Sequence, residues 1–294
     1  MASVLALGAQ WNTALDLFAH FRAQYLLCFA ILGACALWLR ALRLAATIFV
    51  FFFINAAVIA PLLVSEQIEL SNPSDPVVIV TANVLHRGGD AERVSTLVGQ
   101  TKPDVLALLE VDSEWPKHLS ETLRTYPYRV EEPRENDFGI ALYSRIPISS
   151  FEVLEFPPFF LPSIRASLEG GLDVIATHPC PPADGHSTLA RNSQLNSLAD
   201  LAAGSSSPVV LVGDLNTTPF SPSFSELLRR GDLHDSARGY GFTPTWPSYF
   251  PPLWIPIDHV LHTAGVKILD RRVGPDIGSD HYPIIVTLRY DRDG

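Results

Sequence analysis

The stretch PVVLVGDLNTTPFSP, residues 208–222, decides the architecture. Its first half is apolar without alternation, as expected of a strand buried on both faces. The run stops at Gly213, and Asp214 and Asn216 follow at once. Ser221 then offers a helix N-cap ahead of Phe224, Leu227 and Leu228. The order is strand, polar corner, helix, and it recurs. VVIVTA (77–82) ends at Asn83, and Asp90 can cap a helix through Val94 and Leu97. DVLALLE (104–110) closes on Glu110. LDVIATH (172–178) closes on His178, and Ser187 can open a helix through Leu189, Leu195 and Leu198. GIALYS (139–144) leads into Arg145, Asp258 precedes HVLH, and Asp280 with His281 precedes PIIVTL (283–288). The expectation is a mixed α/β domain whose sheets are covered by helices. Its polar residues collect where strands end, the usual place for a site.

Carboxylates, two histidines and two asparagines are the donor kit of a hard-cation phosphoryl hydrolase. Oxygen ligands suit Mg²⁺ or Mn²⁺, while a carboxylate can take the proton of an attacking water. Other groupings fit less well. Ser279, Asp280 and His281 are neighbours on an extended chain and point to opposite faces, so they cannot form a relay among themselves. His178, Cys180 and His186 lack a fourth zinc ligand.

TANVL with Asn83, LLEVD with Glu110, ALYSRIPI with Arg145, ATHP with His178, GDLNTTPFSP with Asp214 and Asn216, IDHVL with Asp258, and GSDHYPI with Asp280 and His281 occur in this order. Together they resemble the endonuclease/exonuclease/phosphatase superfamily, with GDLNTTP and SDHYP the most specific pieces. The resemblance covers about residues 76–290 and implies a deoxyribonuclease I-like four-layer α/β/β/α sandwich. It implies that Glu110 is the principal metal ligand, helped by Asn83, with Asp280 beside the metal. It implies that Asp214 orients or activates the water, that Asn216 touches the phosphate, and that His281, held by Asp258, contacts the scissile phosphate. His178 would stabilise the phosphate or the leaving oxygen, and Arg145 matches a phosphate-contacting arginine. Leu85 stands where some apurinic-type nucleases carry a second metal carboxylate, which argues against a two-metal site.

The front of the chain reads differently. Hydrophobic residues make up 47% of the 294 and charged residues 18%, against about 25% in an ordinary soluble chain. Residues 1–65 hold only Asp16, Arg22, Arg40 and Arg43 as charged side chains. Residues 23–39 and 44–64 carry no charge, and the second run is long enough for a membrane span while the first sits at the lower limit. A cleaved signal would have a basic start and no second long run, and this chain has the reverse. The expectation is a transmembrane hairpin in region 1–64, a linker at 65–76 and a catalytic domain at 77–294. The hairpin resembles that of a bacterial branch of the family. Arg40 and Arg43 in the short connection should stay cytoplasmic, which puts the domain on the outer, periplasmic side of the inner membrane.

Residues 66–294 then carry 18 basic and 30 acidic residues, a net charge of −12. Such a body is repelled by polyanions, which counts against a protein that coats duplex DNA. Two aromatic-proline stretches, FPPFFLP (156–162) and WPSYFPPLWIP (246–256), read either as packed loop cores or as a substrate lid or bilayer-touching surface. The reading favoured is a membrane-anchored phosphoesterase acting on a small or lipid phosphate ester, with the bilayer as its other partner and no obligate protein partner evident. A nuclease of the same chemistry and a catalytically silent module on a membrane stalk are the alternatives.

Overall fold

The computed structural model describes residues 2–9 and 13–292. Two six-stranded sheets face each other. The first has the order β11-β12-β1-β2-β4-β3 and the second β5-β6-β7-β8-β10-β9. The first contains β1 (Val77–Asn83), β2 (Val105–Leu109), β3 (Tyr128–Glu132), β4 (Ile140–Ser144), β11 (Val266–Val273) and β12 (Ile284–Tyr290). The second contains β5 (Ile148–Phe156), β6 (Leu161–Leu168), β7 (Leu172–Thr177), β8 (Val209–Asp214), β9 (His234–Asp235) and β10 (Asp258–His262). Each sheet has one parallel pair, β1 with β2 and β7 with β8, and antiparallel neighbours elsewhere.

The continuous apolar runs are buried on both faces because each sheet is packed twice. Ile79, Ala107, Leu109, Val174, Val210 and Val212 form the core between the sheets. On the outer face of the first sheet, α5 (Ala91–Thr101) and the short α6 (Trp115–His118) and α7 (Ser120–Leu123) add Val94, Leu97, Trp115 and Leu123. On the outer face of the second, α8 (Gly185–Ala203) and α9 (Pro222–Gly231) add Leu195, Leu198, Phe224 and Leu227. The result is the four-layer α/β/β/α sandwich expected.

Capping follows the sequence in two helices out of three. Asp90 accepts from the Glu92 and Arg93 N–H groups, and Ser221 from the Ser223 N–H. The third differs: α8 begins at Asp184, whose carboxylate accepts the Ser187 N–H while the Ser187 hydroxyl accepts the Asp184 N–H. Ser187 is thus the inner half of a capping box, with one more turn ahead of it than expected.

The N-terminal part consists of α1 (Ala2–Leu5), α2 (Thr13–Ala19), α3 (Arg22–Trp38) and α4 (Leu42–Ile59). The stretch Leu42–Leu63 is helical for 22 residues and long and apolar enough to cross a membrane; α3 is apolar but has only 17 residues. The two helices pack together, with Gly33 letting the Phe49 ring close against the α3 backbone. Leu27, Ile31, Leu44, Val50 and Phe53 are exposed. The helix α2 is not part of that apolar pair. It lies on α8, where the buried Asp16 pairs with Arg191 at 2.9 Å. Residues 65–76, expected as a linker, are strapped to the domain: Glu66 pairs with His234 and Arg238, and the Ser74 N–H bonds to the Tyr290 carbonyl.

Candidate active site

The register of the two sheets brings their polar strand ends to one rim. Asn83 lies beside Leu109, next to Glu110, in the parallel β1–β2 pair, and Asp258 faces Asp214 across β10 and β8. β7 runs parallel to β8 with Ala176 beside Val212, so His178 emerges next to Asp214. His281 precedes β12, which pairs with β1. Gly213 permits this closeness. Its φ is +147°, and a Cβ there would sit 1.9 Å from the Thr177 carbonyl oxygen.

The contacts are specific. Glu110 accepts from the Asn83 amide at 2.8 Å and from the His86 backbone N–H at 3.1 Å. The Asn83 amide also reaches the Asp214 carboxylate at 3.5 Å. The His178 Nε2 is 3.4 Å and the His281 Nε2 is 3.7 Å from Asp214 Oδ2. The His281 Nδ1 donates to Asp258 at 2.8 Å. Asp214 also accepts from the Asn216 N–H, and the Asn216 side chain donates to the Pro179 carbonyl. Trp246 Nε1 donates to Asp280 Oδ2 at 3.0 Å, while Asp280 Oδ1 is buried with no hydrogen-bond partner. Leu85, Glu110 and Asn216 hold positive φ angles of 62°, 61° and 50°. Each such residue costs of order 1–3 kcal/mol, and local hydrogen bonds hold it in place.

Charge is distributed in opposite senses. Burial alone would raise the Asp214 carboxyl, but His281 and His178 beside it hold it below the usual carboxylate range. Burial alone would lower both imidazoles. Asp258 and Asp214 overcome that and push His281 up to about 10, and Asp214 and Glu110 raise His178. His281 is therefore an imidazolium clasped by two carboxylates.

Among the described residues, His86, Asp112 and Glu135 cluster within cation-binding reach apart from the cavity lining, and two groupings at the rim could also hold a cation. Ligand atoms of Asp214, Asp258 and His281 lie within 4.8 Å of one another, but the imidazolium already compensates these acids. Glu110 and Asp280 differ. Both line the same cavity, of about 490 Å³, and Asp280 offers an oxygen that nothing else satisfies. Hard oxygen donors of this kind fit a divalent cation.

Glu110, His178, Asp214, Asn216, Asp280 and His281 all line that cavity, and Asn83 and Asp258 stand directly behind it on Glu110 and His281. Arg145 does not. Ser144 pairs with Val105, at the start of β2, whereas Glu110 follows the end of β2, beside Ile140. Arg145 is thus at the end of the first sheet opposite the rim. There its guanidinium lies 4.9 Å from the Tyr126 ring and donates to the Lys102 carbonyl. In place of the phosphate contact expected of it, Arg145 has a packing role against Tyr126, because its strand ends away from the rim. Sequence alone leaves the directions of His86 and Arg87 open; the His86 ring turns toward Asp137. It leaves Trp246 between two roles, and the side chain holds Asp280. Leu17, His20 and Phe21 also line the cavity and were not expected there. Their only signal was Asp16, an acid isolated just ahead of an apolar run.

A family model described as "Endonuclease/Exonuclease/phosphatase family" matches residues 80–281. The chain belongs to this family. Solved structures agree in fold. An endonuclease/exonuclease/phosphatase from Beutenbergia cavernae superposes with a TM-score of 0.61 at 20% identity, over 74% of this chain and 72% of that one. The 3′ phosphatase NExo from Neisseria, bound to a product DNA hairpin, gives 0.59 at 20% identity, over 71% and 98%. Sphingomyelinase C from Streptomyces griseocarneus gives 0.55 at 19% identity, over 73% and 99%. No curated protein sequence matches. Membership in the endonuclease/exonuclease/phosphatase family makes the chain a phosphoesterase or nuclease at the general level, and the rim cluster is where that chemistry would sit.

Two outcomes follow from this geometry. Arg145→Ala should leave kcat/KM within about threefold of wild type while lowering stability by about 1 kcal/mol, because no cation then stacks on the Tyr126 ring; a large loss of activity at unchanged KM for cation would contradict its placement. The His281 ring, whose folded value near 10 lies above its ordinary 6.5, adds stability that is complete below 6.5 and is lost as pH rises through about 10. Thermal unfolding of chelator-treated protein should therefore show a Tm that falls over that window, with a flatter profile in Asp258→Asn.

Proposed function

We propose that the chain is a membrane-anchored, divalent-metal-dependent phosphoesterase that hydrolyses a phosphate ester by water attack. The observation that carries this reading is the convergence, in one cavity, of an unsatisfied carboxylate oxygen on Asp280, the Glu110 carboxylate and the Asp214–His281–Asp258 network.

Glu110 and Asp280 would hold Mg²⁺ or Mn²⁺, with Asn83 fixing the orientation of Glu110. A cation bound there would neutralise phosphate charge as a Lewis acid. The rest falls to the chain's own groups. Asp214, kept ionised beside two imidazoles, is the group able to orient a water and take its proton. His281, held protonated by Asp258, faces the same cavity and can donate to a phosphoryl oxygen. His178 brings a second raised imidazole, and Asn216 stands at the rim as an uncharged phosphate contact. Oriented donors of this sort act where charge develops.

The fold neighbours leave the substrate class open, since one is a phosphatase bound to product DNA and another a sphingomyelinase. The net charge of −12 over residues 66–294 favours a small or lipid ester over a polynucleotide. The anchor reading rests on Leu42–Leu63 and on the charge-free runs. The side of the bilayer rests on Arg40 and Arg43.

Purified full chain should release p-nitrophenol from bis(p-nitrophenyl) phosphate with Mg²⁺ or Mn²⁺ and stop with EDTA. Glu110→Ala and His281→Ala should each lower kcat by about 10²–10³ or more; wild-type rates in both would remove the site assignment. A periplasm-active reporter fused after Gly294 should be active, and a silent one would reverse the orientation.

A further inference from the structure

The cavity has a wall that does not come from the sandwich. Asp16 on α2 is buried, accepting from the Arg191 guanidinium at 2.9 Å and from the Ser221 hydroxyl at 2.6 Å. Arg191 is fully buried and donates through Nη1 to the Asn216 carbonyl at 2.7 Å. One turn on, the buried His20 shares a 3.0 Å hydrogen bond with the Thr218 hydroxyl. Both Asn216 and Thr218 belong to the corner after β8. The N-terminal segment is thus fastened, through two buried polar links, to the loop that carries the site.

Three of its side chains look into the cavity. Leu17, 43% exposed, and Phe21 line it together with His20. Phe138, Pro181, Ile255 and Ile257 line it too. Burial pushes the His20 imidazole down to about 4, so at neutral pH it adds no charge to this wall. The cavity therefore has a charged floor of Glu110, Asp214, Asp280 and His281 and, apart from Asp137, mostly apolar sides. A free phosphate, or a monoester of a small polar alcohol, would leave those sides wet.

The mouth also lies where the apolar helices meet the domain. α3 begins at Arg22, directly after Phe21, and Gln24 donates to the Trp254 carbonyl at 2.7 Å. At the end of α4, the Leu62 carbonyl accepts from the Gly239 and Gly241 N–H groups, and Ile59 and Leu62 pack with Phe220. Tyr249, Phe250 and Leu253, on the same loop as Trp246 and Trp254, are exposed. Apolar surface thus runs from the cavity wall to the helix pair.

Building on the phosphoesterase reading above, we propose that Leu17, His20 and Phe21 are specificity-determining residues of this site. They select a phosphate ester whose organic arm is an aliphatic chain, an amphiphile presented at the bilayer surface. The reaction remains hydrolysis: water adds to phosphorus, the ester P–O bond breaks, and the alcohol leaves with the proton.

The test uses the full chain in neutral detergent with Mn²⁺ and a series of p-nitrophenyl alkyl phosphodiesters with methyl, butyl and octyl arms. Seven further methylenes partly buried against these walls should raise kcat/KM at least about tenfold from methyl to octyl in wild type. In the double variant Leu17→Asn with Phe21→Ser the rise should shrink to about threefold or less, mostly through the KM of the octyl ester. Asp16→Ala changes no cavity residue but releases α2. It should flatten the series in the same way and speed amide exchange over residues 13–20 more than in β8. A flat series in wild type, a slope retained in both variants, or a preference for thymidine p-nitrophenyl phosphate over the octyl ester would overturn the proposal. Inertness of every ester would instead remove the phosphoesterase reading on which it rests.

Discussion

Asp214 ties the two sheets together. Its carboxylate stands at the end of β8 in the second sheet, beside His178 from β7 and His281, which leads into β12 of the first, with the Asn83 amide of β1 at its edge. No local segment could build this arrangement. It exists only if two sheets of six strands pack face to face in one alignment. A one-residue slip in either would turn these side chains into the core and bring core residues to the rim. Close packing of Ile79, Ala107, Val174, Val210 and Val212 between the sheets is therefore what positions the chemistry. Buried opposite charges around Asp214 also satisfy one another, so the polar rim is not left as uncompensated charge over an apolar core.

Most of the central strands, though not β6, were legible because they are buried twice, and double burial writes a continuous apolar run. The edge strands were not. β5, ISSFEVLEF, is mostly exposed and mixes acids and serines with aromatics, so its pattern carries little signal. Pairing with β6 along its length holds it instead. The helix caps at Asp90 and Ser221 were legible because a cap is a local bond. α8 was displaced by one turn because Asp184 and Ser187 are both good caps, and only the reciprocal bonds between them decide which is outer.

The site residues divide the same way. Residues that follow the end of a parallel strand had only one rim to reach, and Glu110, His178 and Asp214 reached it. Arg145 follows β4, which runs antiparallel to β2, so that strand finishes at the end of the sheet opposite the rim. A motif preserves the order of residues along the chain but not the strand direction. Leu17, His20 and Phe21 were beyond reach for another reason. Asp16 and Arg191 are separated by 175 positions, and neither residue in its own context announces the other.

That pair changes where the functional unit begins. Arg191 has no exposed surface, and its guanidinium is shared among Asp16, the Asn216 carbonyl and the Asn192 side chain. Taking away one partner of such a buried pair leaves a charge without compensation, and that is far costlier than losing a surface ion pair. The carbonyl that Arg191 holds belongs to Asn216, whose left-handed backbone sets the corner after Asp214. The chain from α2 onward is thus part of the support of the site rather than a tether preceding it. A segment of that kind also fixes how the apolar helices leave the domain, because α3 starts two residues after His20 and α4 returns to the same face at Leu62. The geometry of the apolar helix pair and the geometry of the cavity are consequently one problem, solved by the same few polar contacts.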